Sequence, residues 1–359
     1  MLVDFTSTYR NKRVFLTGHT GFKGSWMSVW LSMLGANVKG YALKPEKRSL
    51  YNQIFPHLKK HESVFADIRN QKKLTKELLA FQPDFIFHMA AQAIVRKSYY
   101  IPVETFETNA IGTANLLDSV RSLKRKCIVI ILTTDKVYSN NEKGIPFSES
   151  DSLGGHDPYS ASKAAAEIIT DSFRLSFFNP DTFALHKKSV ATARAGNVIG
   201  GGDYSVDRIL PDIFRALSKN VLIPVRNPNA VRPWQHVLEP LSGYLTLGAC
   251  MNENPVKFST SFNFGPLQKD SLKVIEVVNM SIMRWGSGKY KIIKKENKSP
   301  HEAGILKLNI SKAKKEIGWK PKWNSEYAIE KTIQWYKNSI NKKSDIYYLC
   351  MNEINDFIK

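Results

Sequence analysis

The sequence predicts an α/β protein built on a doubly wound parallel sheet of the Rossmann type, with a smaller interleaved C-terminal lobe. Short apolar, β-branched segments alternate with amphipathic segments of helical length over the first half of the chain, as parallel strands and their crossover helices do. A glycine-rich segment directly follows the first apolar segment. After Ser189, loops rich in Arg, Pro and aromatic residues replace this alternation, which indicates a second lobe.

The glycine-rich segment joins the first predicted strand, residues 13–17, to a helix predicted at residues 25–34. Its first glycine permits a tight turn, its second lets the backbone approach a pyrophosphate at the helix N-terminus, and its third lets the helix pack close to the sheet. The segment therefore predicts a dinucleotide site. The predicted contacts are Gly18, Thr20, Gly21, Phe22, Lys23 and Gly24.

The second predicted strand, residues 37–43, lacks at its end the acidic residue that usually binds the adenosine ribose of NAD. Lys44 follows it, with Lys47 and Arg48 close by. Basic residues can accommodate a 2′-phosphate, so NADP stays open beside NAD. The alternative is that these three side chains belong to an exposed loop.

Two further strands are predicted at residues 64–68 and 83–91, on either side of an amphipathic helix at residues 71–81. The first strand ends in an aspartate that can accept a hydrogen bond from an adenine amino group. The second ends in small residues, against which a ring can lie. These strand ends extend the predicted cofactor site by Asp67, Ile68, Ala90 and Ala91. Residues 102–121 predict the next helix.

A buried parallel strand is predicted at residues 126–132, which are apolar and rich in β-branched side chains. Thr134, Asp135 and Lys136 follow at its carboxyl end. Ligands of open α/β sheets bind outside the carboxyl ends of the strands. These three residues are therefore predicted to be catalytic.

Tyr159 and Lys163 are four residues apart in a helix predicted at residues 158–177, so they share a face of that helix. A cation beside a phenol lowers the pKa of the phenol, which predicts a proton-transfer group that works near neutrality. The alternative is a surface Tyr/Lys pair without a chemical role.

The second half of the chain returns to the sheet twice, with strands predicted at residues 191–195 and 261–266. We therefore expect a dinucleotide-binding domain at residues 1–195, with a strand contributed from about residues 257–268. Residues 196–359 are expected to form mainly the interleaved lobe, which binds substrate.

Composition excludes several classes of protein. The three cysteines are scattered, which argues for a reducing compartment and against a disulfide framework or a metal site. No segment has the length and apolarity of a signal peptide or a membrane span, so a cytoplasmic protein is expected. The net charge of +20 comes largely from scattered lysines, so no nucleic-acid or membrane partner is expected. A nucleic-acid- or membrane-binding protein on a dinucleotide fold is the alternative.

The chain resembles the extended short-chain dehydrogenase/reductase family over nearly its whole length. The most specific motifs lie at residues 17–24, 89–92, 134–138, 157–163, 196–203 and 232–237. The resemblance implies NAD as cofactor. It also implies that Tyr159, assisted by Lys163 and Thr134, takes the proton of a sugar 4-hydroxyl while hydride passes from C4 to NAD.

The dipeptide Asp135-Lys136 stands where the dTDP-glucose and GDP-mannose dehydratases of this family carry Asp-Glu or Ser-Glu. It favours the branch that dehydrates CDP-sugars, and implies CDP-glucose or a similar nucleotide sugar as substrate. Lys136 would then remove the C5 proton and Asp135 would protonate the departing 6-hydroxyl. These roles require a lowered pKa for the amine and a protonated carboxyl. The alternative is a structural ion pair.

The resemblance also places Asn197, Arg208 and Arg232 around the diphosphate and ribose, whereas Gln92 and Arg96 are expected near the hexose. The alternative is that Arg96 and Arg208 only stabilise the fold. The rival activities are a nucleotide-sugar 4-epimerase or reductase, and a dehydratase of a dTDP-, UDP- or GDP-sugar. The helices predicted at residues 102–121 and 158–176 resemble those of a four-helix dimer interface, which implies a homodimer, with a tetramer as the alternative.

Overall fold

The computed structural model describes residues 5–140, 144–293, 306–341 and 344–359. The strands are β1 (Arg13–Thr17), β2 (Asn37–Ala42), β3 (His61–Phe65), β4 (Phe85–His88), β5 (Cys127–Leu132), β6 (Lys188–Ala195), β7 (Val198–Ile199), β8 (Ile223–Val225), β9 (Val231–Arg232), β10 (Gln235–His236), β11 (Ser261–Phe264), β12 (Leu272–Lys273) and β13 (Tyr290–Ile292). The helices are α1 (Phe5–Tyr9), α2 (Phe22–Met33), α3 (Leu50–Ile54), α4 (Gln71–Phe81), α5 (Val95–Tyr100), α6 (Pro102–Phe106), α7 (Gly112–Arg121), α8 (Pro158–Ser176), α9 (Phe183–His186), α10 (Ile209–Ser218), α11 (Leu238–Glu253), α12 (Val274–Trp285), α13 (Ser311–Glu316), α14 (Ser325–Ser339) and α15 (Ile346–Ile358).

Seven parallel strands form the central sheet, in the order β3-β2-β1-β4-β5-β6-β11. β1 pairs in parallel with both β2 and β4, so the strand order reverses between β1 and β4. This is the doubly wound arrangement, and the predicted fold class is confirmed. Ligands of such sheets bind at the carboxyl edge near that reversal.

Helices cover both faces of the sheet. One face carries α2, α11 and α15 in a core that includes Trp26 and Trp30, and the other carries α4, α7 and part of α8. All six residues of β5 are buried, as expected for a central parallel strand with helices on both sides. This packing fixes the carboxyl ends of β1, β4 and β5 close together.

Several predicted boundaries need correction. α2 begins at Phe22 rather than Ser25, so Gly24 lies in its first turn. β3 spans His61–Phe65, three residues earlier than predicted, so Asp67 follows the strand instead of ending it. The helix predicted at residues 102–121 contains a π-helical turn at Glu107–Ile111. That turn brings Asn109 inward, where its amide donates to the Ser162 hydroxyl at 2.9 Å and to the Gln92 carbonyl at 3.1 Å.

The chain after β6 forms two-stranded sheets that pair β7 with β10, β9 with β12, and β8 with β13. They pack with α10, α12 and α14 around a core of their own. β11 returns to the central sheet beside β6, and α15 packs against α2 and α3. The proposed division at residue 195 stays a prediction. In the described ranges no helix combines the length and the apolarity that crossing a membrane requires.

Candidate active site

The loop between β1 and α2 forms a cradle in which glycine is required. A side-chain carbon on Gly18 would lie 2.7 Å from the backbone nitrogen of Ala90, and one on Gly24 would lie 2.2 Å from the Gly18 carbonyl oxygen. Gly18 also has a φ of +71°. No side chain caps α2 at Gly21, so backbone N–H groups of its first turn face the loop. These features suit an anionic pyrophosphate.

The carboxyl end of β4 is bonded to this cradle. The Thr17 hydroxyl accepts hydrogen bonds from the backbone N–H groups of Met89 at 3.0 Å and Ala90 at 3.1 Å. Ala90 and Ala91 are therefore held beside Gly18, and each is partly buried. The two predicted parts of the cofactor site meet at this point.

The residues expected around the adenosine lie at the ends of β2 and β3. The Thr20 hydroxyl donates to the Leu43 carbonyl at 3.0 Å and ties the loop to β2. Lys44, Lys47 and Arg48 are exposed. The Asp67 carboxylate is 2.7 Å from the Arg69 guanidinium, which lowers the pKa of that carboxyl. Its predicted adenine contact stays a prediction, as does that of the neighbouring Ile68, which is buried.

The predicted catalytic residues meet at the carboxyl end of β5. The Thr134 hydroxyl donates to Asp135 Oδ1 at 3.0 Å. The Tyr159 hydroxyl is hydrogen-bonded to the Thr134 side chain. One short chain of hydrogen bonds therefore joins the tyrosine to the carboxyl.

Asp135 is almost wholly buried, at 1% exposure, and burial raises the pKa of its carboxyl. Lys136, Arg232 and Lys23 lie near enough to oppose that rise with their charges. The oxygen Oδ2 is buried and has no hydrogen-bond partner among the described residues. Among the described residues, no salt bridge within 4.0 Å joins Asp135 to Lys136, although the charge of Lys136 acts on the carboxyl, so the alternative of a structural pair stays open. A protonated carboxyl is the state that a proton donor needs.

The prediction that Tyr159 has a lowered pKa is wrong for the protein chain by itself. The pKa of Tyr159 is raised to about 12, chiefly by burial; the hydrogen bond with Thr134 opposes the rise, the charge of Asp135 adds to it, and Arg208 opposes it. Lys163 is buried and donates to the Leu132 carbonyl at 3.0 Å. Burial also lowers the pKa of Lys163 to about 8. The four-residue spacing correctly predicted that Tyr159 and Lys163 share a face of α8. It could not reveal that folding removes both side chains from solvent.

The cations near these groups include residues from both halves of the chain. Burial, together with the nearby charges of Arg208 and Lys163, lowers the pKa of Lys23 to about 8, and the charge of Asp135 opposes this shift. Arg208 donates to the Asp203 carboxylate at 2.9 Å. Lys23 thus lies between the glycine cradle and the catalytic residues.

The other predicted substrate residues have different surroundings. The Asn197 amide nitrogen is buried and has no hydrogen-bond partner in the described part of the chain, as expected of a group that meets a ligand. Arg96 is 3.5 Å from Asp207 across the cleft. The Gln92 amide instead donates to the Ile94 carbonyl and the Thr105 hydroxyl. Since both of its N–H hydrogens have these partners, Gln92 shapes the loop after β4, and its hexose contact stays a prediction.

Three polar residues beside the site were missed at the sequence level: Asn109, Glu167 and Arg194. Glu167 and Arg194 form a buried ion pair at 3.0 Å. A signal existed for both, because Glu167 lies one helical turn after Lys163 and Arg194 interrupts an otherwise small and apolar strand. No sequence signal indicated the π-helical turn that carries Asn109.

Residues 15–332 match the family described as GDP-mannose 4,6 dehydratase. The chain is 44% identical to the CDP-glucose 4,6-dehydratase of Salmonella typhimurium over 351 residues, which cover 98% of this chain and 97% of that protein. It is 25% identical to the CDP-paratose 2-epimerase of Salmonella typhi, over 90% of this chain and 98% of that one. The dTDP-glucose 4,6-dehydratase of Streptomyces venezuelae, crystallised with NAD, has the same fold, with a TM-score of 0.76 at 22% identity over 90% of this chain and 97% of the other.

Proposed function

This chain belongs to the GDP-mannose 4,6-dehydratase family of extended short-chain dehydrogenases/reductases, and we propose that it converts CDP-D-glucose to CDP-4-keto-6-deoxy-D-glucose with loss of water. The observation that carries the proposal is the Asp135-Lys136 turn at the end of β5, within hydrogen-bonding reach of Tyr159 through Thr134. The 44% identity to a CDP-glucose 4,6-dehydratase over nearly both full lengths supports the choice of substrate.

We propose NAD as the cofactor, because the glycine cradle and the uncapped start of α2 fit a dinucleotide pyrophosphate. Gly18, Gly21 and Gly24 would hold the pyrophosphate of NAD, which would supply an acceptor for the hydride of C4 and a donor of hydride to C6. The dehydratase of the same fold that binds NAD supports this choice. The exposed Lys44, Lys47 and Arg48 leave the ribose end without an acidic partner, so the preference over NADP is itself a proposal.

The first proton transfer is assigned to Tyr159, which takes the proton of the sugar 4-hydroxyl. Its raised pKa keeps the phenol protonated at neutral pH, so the phenolate needs positive charge nearby. Arg208 lies near enough to lower the pKa of Tyr159, and Lys163, one turn after Tyr159 on α8, is proposed to assist it. A protonated Asp135 also helps, because it no longer repels the phenolate.

The elimination is assigned to Asp135 and Lys136. The 4-ketone acidifies the C5 hydrogen, and Lys136 in its neutral form removes that proton. Asp135 then gives its proton to the 6-hydroxyl as the C6–O bond breaks. Its burial favours the protonated form that this step requires.

Substrate binding is assigned to the cations and amides around the cleft. Asn197, Arg208 and Arg232 are proposed to bind the diphosphate and ribose, since a guanidinium suits bidentate phosphate recognition. Arg96 is proposed to reach the hexose. An epimerase would also need Tyr159, but it has no use for an acid and a base at C5 and C6.

We also propose a homodimer. α6, the π-helical turn and α8 expose apolar side chains to solvent: Val103 is 70% exposed, Ile111 52%, Ile168 59% and Leu175 67%. α6 and α7 both pack on α8, and we propose that these side chains belong to one surface of the three helices. Contiguous exposed apolar surface of this kind marks a protein–protein interface.

The deciding experiment is an incubation of the purified protein with CDP-glucose and catalytic NAD, with product mass as the measurement. We expect loss of one water without net formation of NADH. An unchanged mass with altered sugar stereochemistry would instead establish an epimerase. Parallel incubations with dTDP-, UDP- and GDP-sugars test which nucleotide base the protein prefers. Faster dehydration of any of them would refute the CDP assignment.

A further inference from the structure

A buried ion pair lies directly behind the proposed catalytic residues. Glu167 on α8 is 0% exposed and Arg194 on β6 is 2% exposed. Two nitrogens of Arg194, Nε and Nη2, donate to the two different carboxylate oxygens of Glu167, each at 3.0 Å. This is the bidentate geometry that gives an ion pair a defined orientation.

The pair binds both ends of the catalytic segment, residues 134–136. Before the segment, the Thr133 hydroxyl donates to the Glu167 carboxylate. After it, Arg194 Nη1 donates to the Tyr138 hydroxyl at 2.8 Å. The segment is therefore held at residues 133 and 138 by one ion pair.

The same pair is joined to the other half of the site. Glu167 lies on α8, the helix of Tyr159, one turn after Lys163. Lys163 in turn donates to the Leu132 carbonyl at the end of β5. Movement of the catalytic segment relative to α8 would therefore have to break the contacts of Glu167.

We infer that Glu167 and Arg194 are positioning residues, which hold the proposed acid and base at a fixed place relative to Tyr159. The inference rests on the proposed dehydration. A buried ion pair is weak as a source of stability, because well-packed apolar residues often do as well. Its bonds to both ends of one segment instead point to placement of that segment.

The elimination depends on this placement more than the oxidation does. The C5–H bond gives its proton to Lys136, the C6–O bond breaks, and the leaving oxygen takes the proton of Asp135. Both side chains must reach the sugar in one geometry, whereas oxidation at C4 uses Tyr159 and Lys163 of α8 and takes only Thr134 from the segment. Displacement of residues 134–136 should therefore slow elimination selectively.

The Glu167 charge also reaches Lys163, since it raises the pKa of that amine against the effect of burial. Removal of the charge lowers the pKa of Lys163 below about 8. Lys163 then loses its proton at lower pH. In the pH–rate profile of the oxidation step, the decrease in rate at alkaline pH therefore begins at lower pH.

The test compares Glu167→Gln with the double variant Thr133→Val/Tyr138→Phe, which keeps the ion pair but removes its two bonds to the segment. Thr170→Val is the matched control, because Thr170 is buried on the same helix and its hydroxyl donates only to the Ala166 carbonyl. Oxidation is followed as the single-turnover rise in absorbance at 340 nm. Elimination is followed as product formation and as solvent deuterium uptake at C5.

We expect both variants to slow elimination about 10- to 100-fold, the usual effect of misplacing reacting groups, with a much smaller change in oxidation. In addition, Glu167→Gln should move the alkaline limb of oxidation to lower pH. Equal losses in both steps, or elimination at the control rate in the folded double variant, would overturn the inference. If Glu167→Gln fails to fold, the double variant alone decides. The comparison uses whichever nucleotide sugar the wild-type protein dehydrates, so the wild-type run separately reports on the proposed function.

Discussion

Replacement of Asp135 by asparagine removes the proposed acid and keeps its shape. The amide oxygen can retain the bond from the Thr134 hydroxyl, and the new NH2 takes the place of Oδ2, which has no partner among the described residues. A positioned proton donor is worth roughly 10²- to 10⁴-fold in rate, so we expect dehydration to slow by that factor. The corresponding increase in the barrier is about 3–5 kcal/mol.

The assay separates this loss from a general loss of activity. Oxidation at C4 uses Tyr159, so Asp135→Asn should still form NADH on the enzyme and accumulate it as a stable absorbance at 340 nm. The wild-type acid loses its proton as pH rises through its raised pKa, so the elimination rate should fall at high pH in the wild type, and the variant should lack this limb.

The matched control is Asp84→Asn, the same chemical change at the opposite edge of the sheet, where Asp84 forms a half-exposed ion pair with Arg13. It should keep wild-type activity, since such pairs contribute little. Dehydration by Asp135→Asn at a rate near that of Asp84→Asn would refute the assignment of the acid.

Three further predictions follow from local geometry. Gly24→Ala should abolish NAD binding measured by calorimetry, because its side-chain carbon would lie 2.2 Å from the Gly18 carbonyl oxygen; wild-type affinity would contradict the cradle. Burial raises the pKa of Glu239 to about 7, so its proton stabilises the fold fully below pH 4.5, the ordinary value, and this contribution is lost as pH rises through 7. Glu239→Gln should therefore flatten the decrease in melting temperature over that interval, and an unchanged slope would show that the carboxyl is not protonated there. If the proposed dimer forms, wild-type protein should have the mass of a dimer in light scattering and Ile168→Glu that of a monomer, whereas the similarly exposed Val221→Glu, outside the proposed interface, should stay dimeric.

The sequence alone was sufficient to predict helices and strands wherever a local residue pattern determines the local structure. β5 and α8 were predicted to within one residue, because a β-branched apolar segment and an aspartate-capped, alanine-rich segment each have one favoured conformation. The meeting of Thr134 and Tyr159 was implied by the family resemblance, and the predicted strand end and helix start agree with it.

Properties that depend on distant packing were not predictable. The pKa of Tyr159 is set by the loss of water around the phenol, which the neighbouring Lys163 does not reveal. Gln92 has its amide bonded to its own loop, and that requires Thr105 from a helix more than ten residues away. Arg194 was visible as a charge within a buried strand, but nothing in the sequence identified Glu167 as its partner.

The last residues of the chain complete the packing of some of its first. α15 covers α2, where Phe357 packs against Trp30, and Glu353 lies 2.7 Å from the buried His236. During synthesis, more than three hundred further residues must therefore be added after α2 before α15 can cover its apolar face. A nascent or truncated chain that ends before α15 lacks the Phe357 contact that helps to cover Trp30 of the first crossover helix. Such chains should depend on chaperones and should be early targets of proteolysis, even when every residue of the proposed site is present.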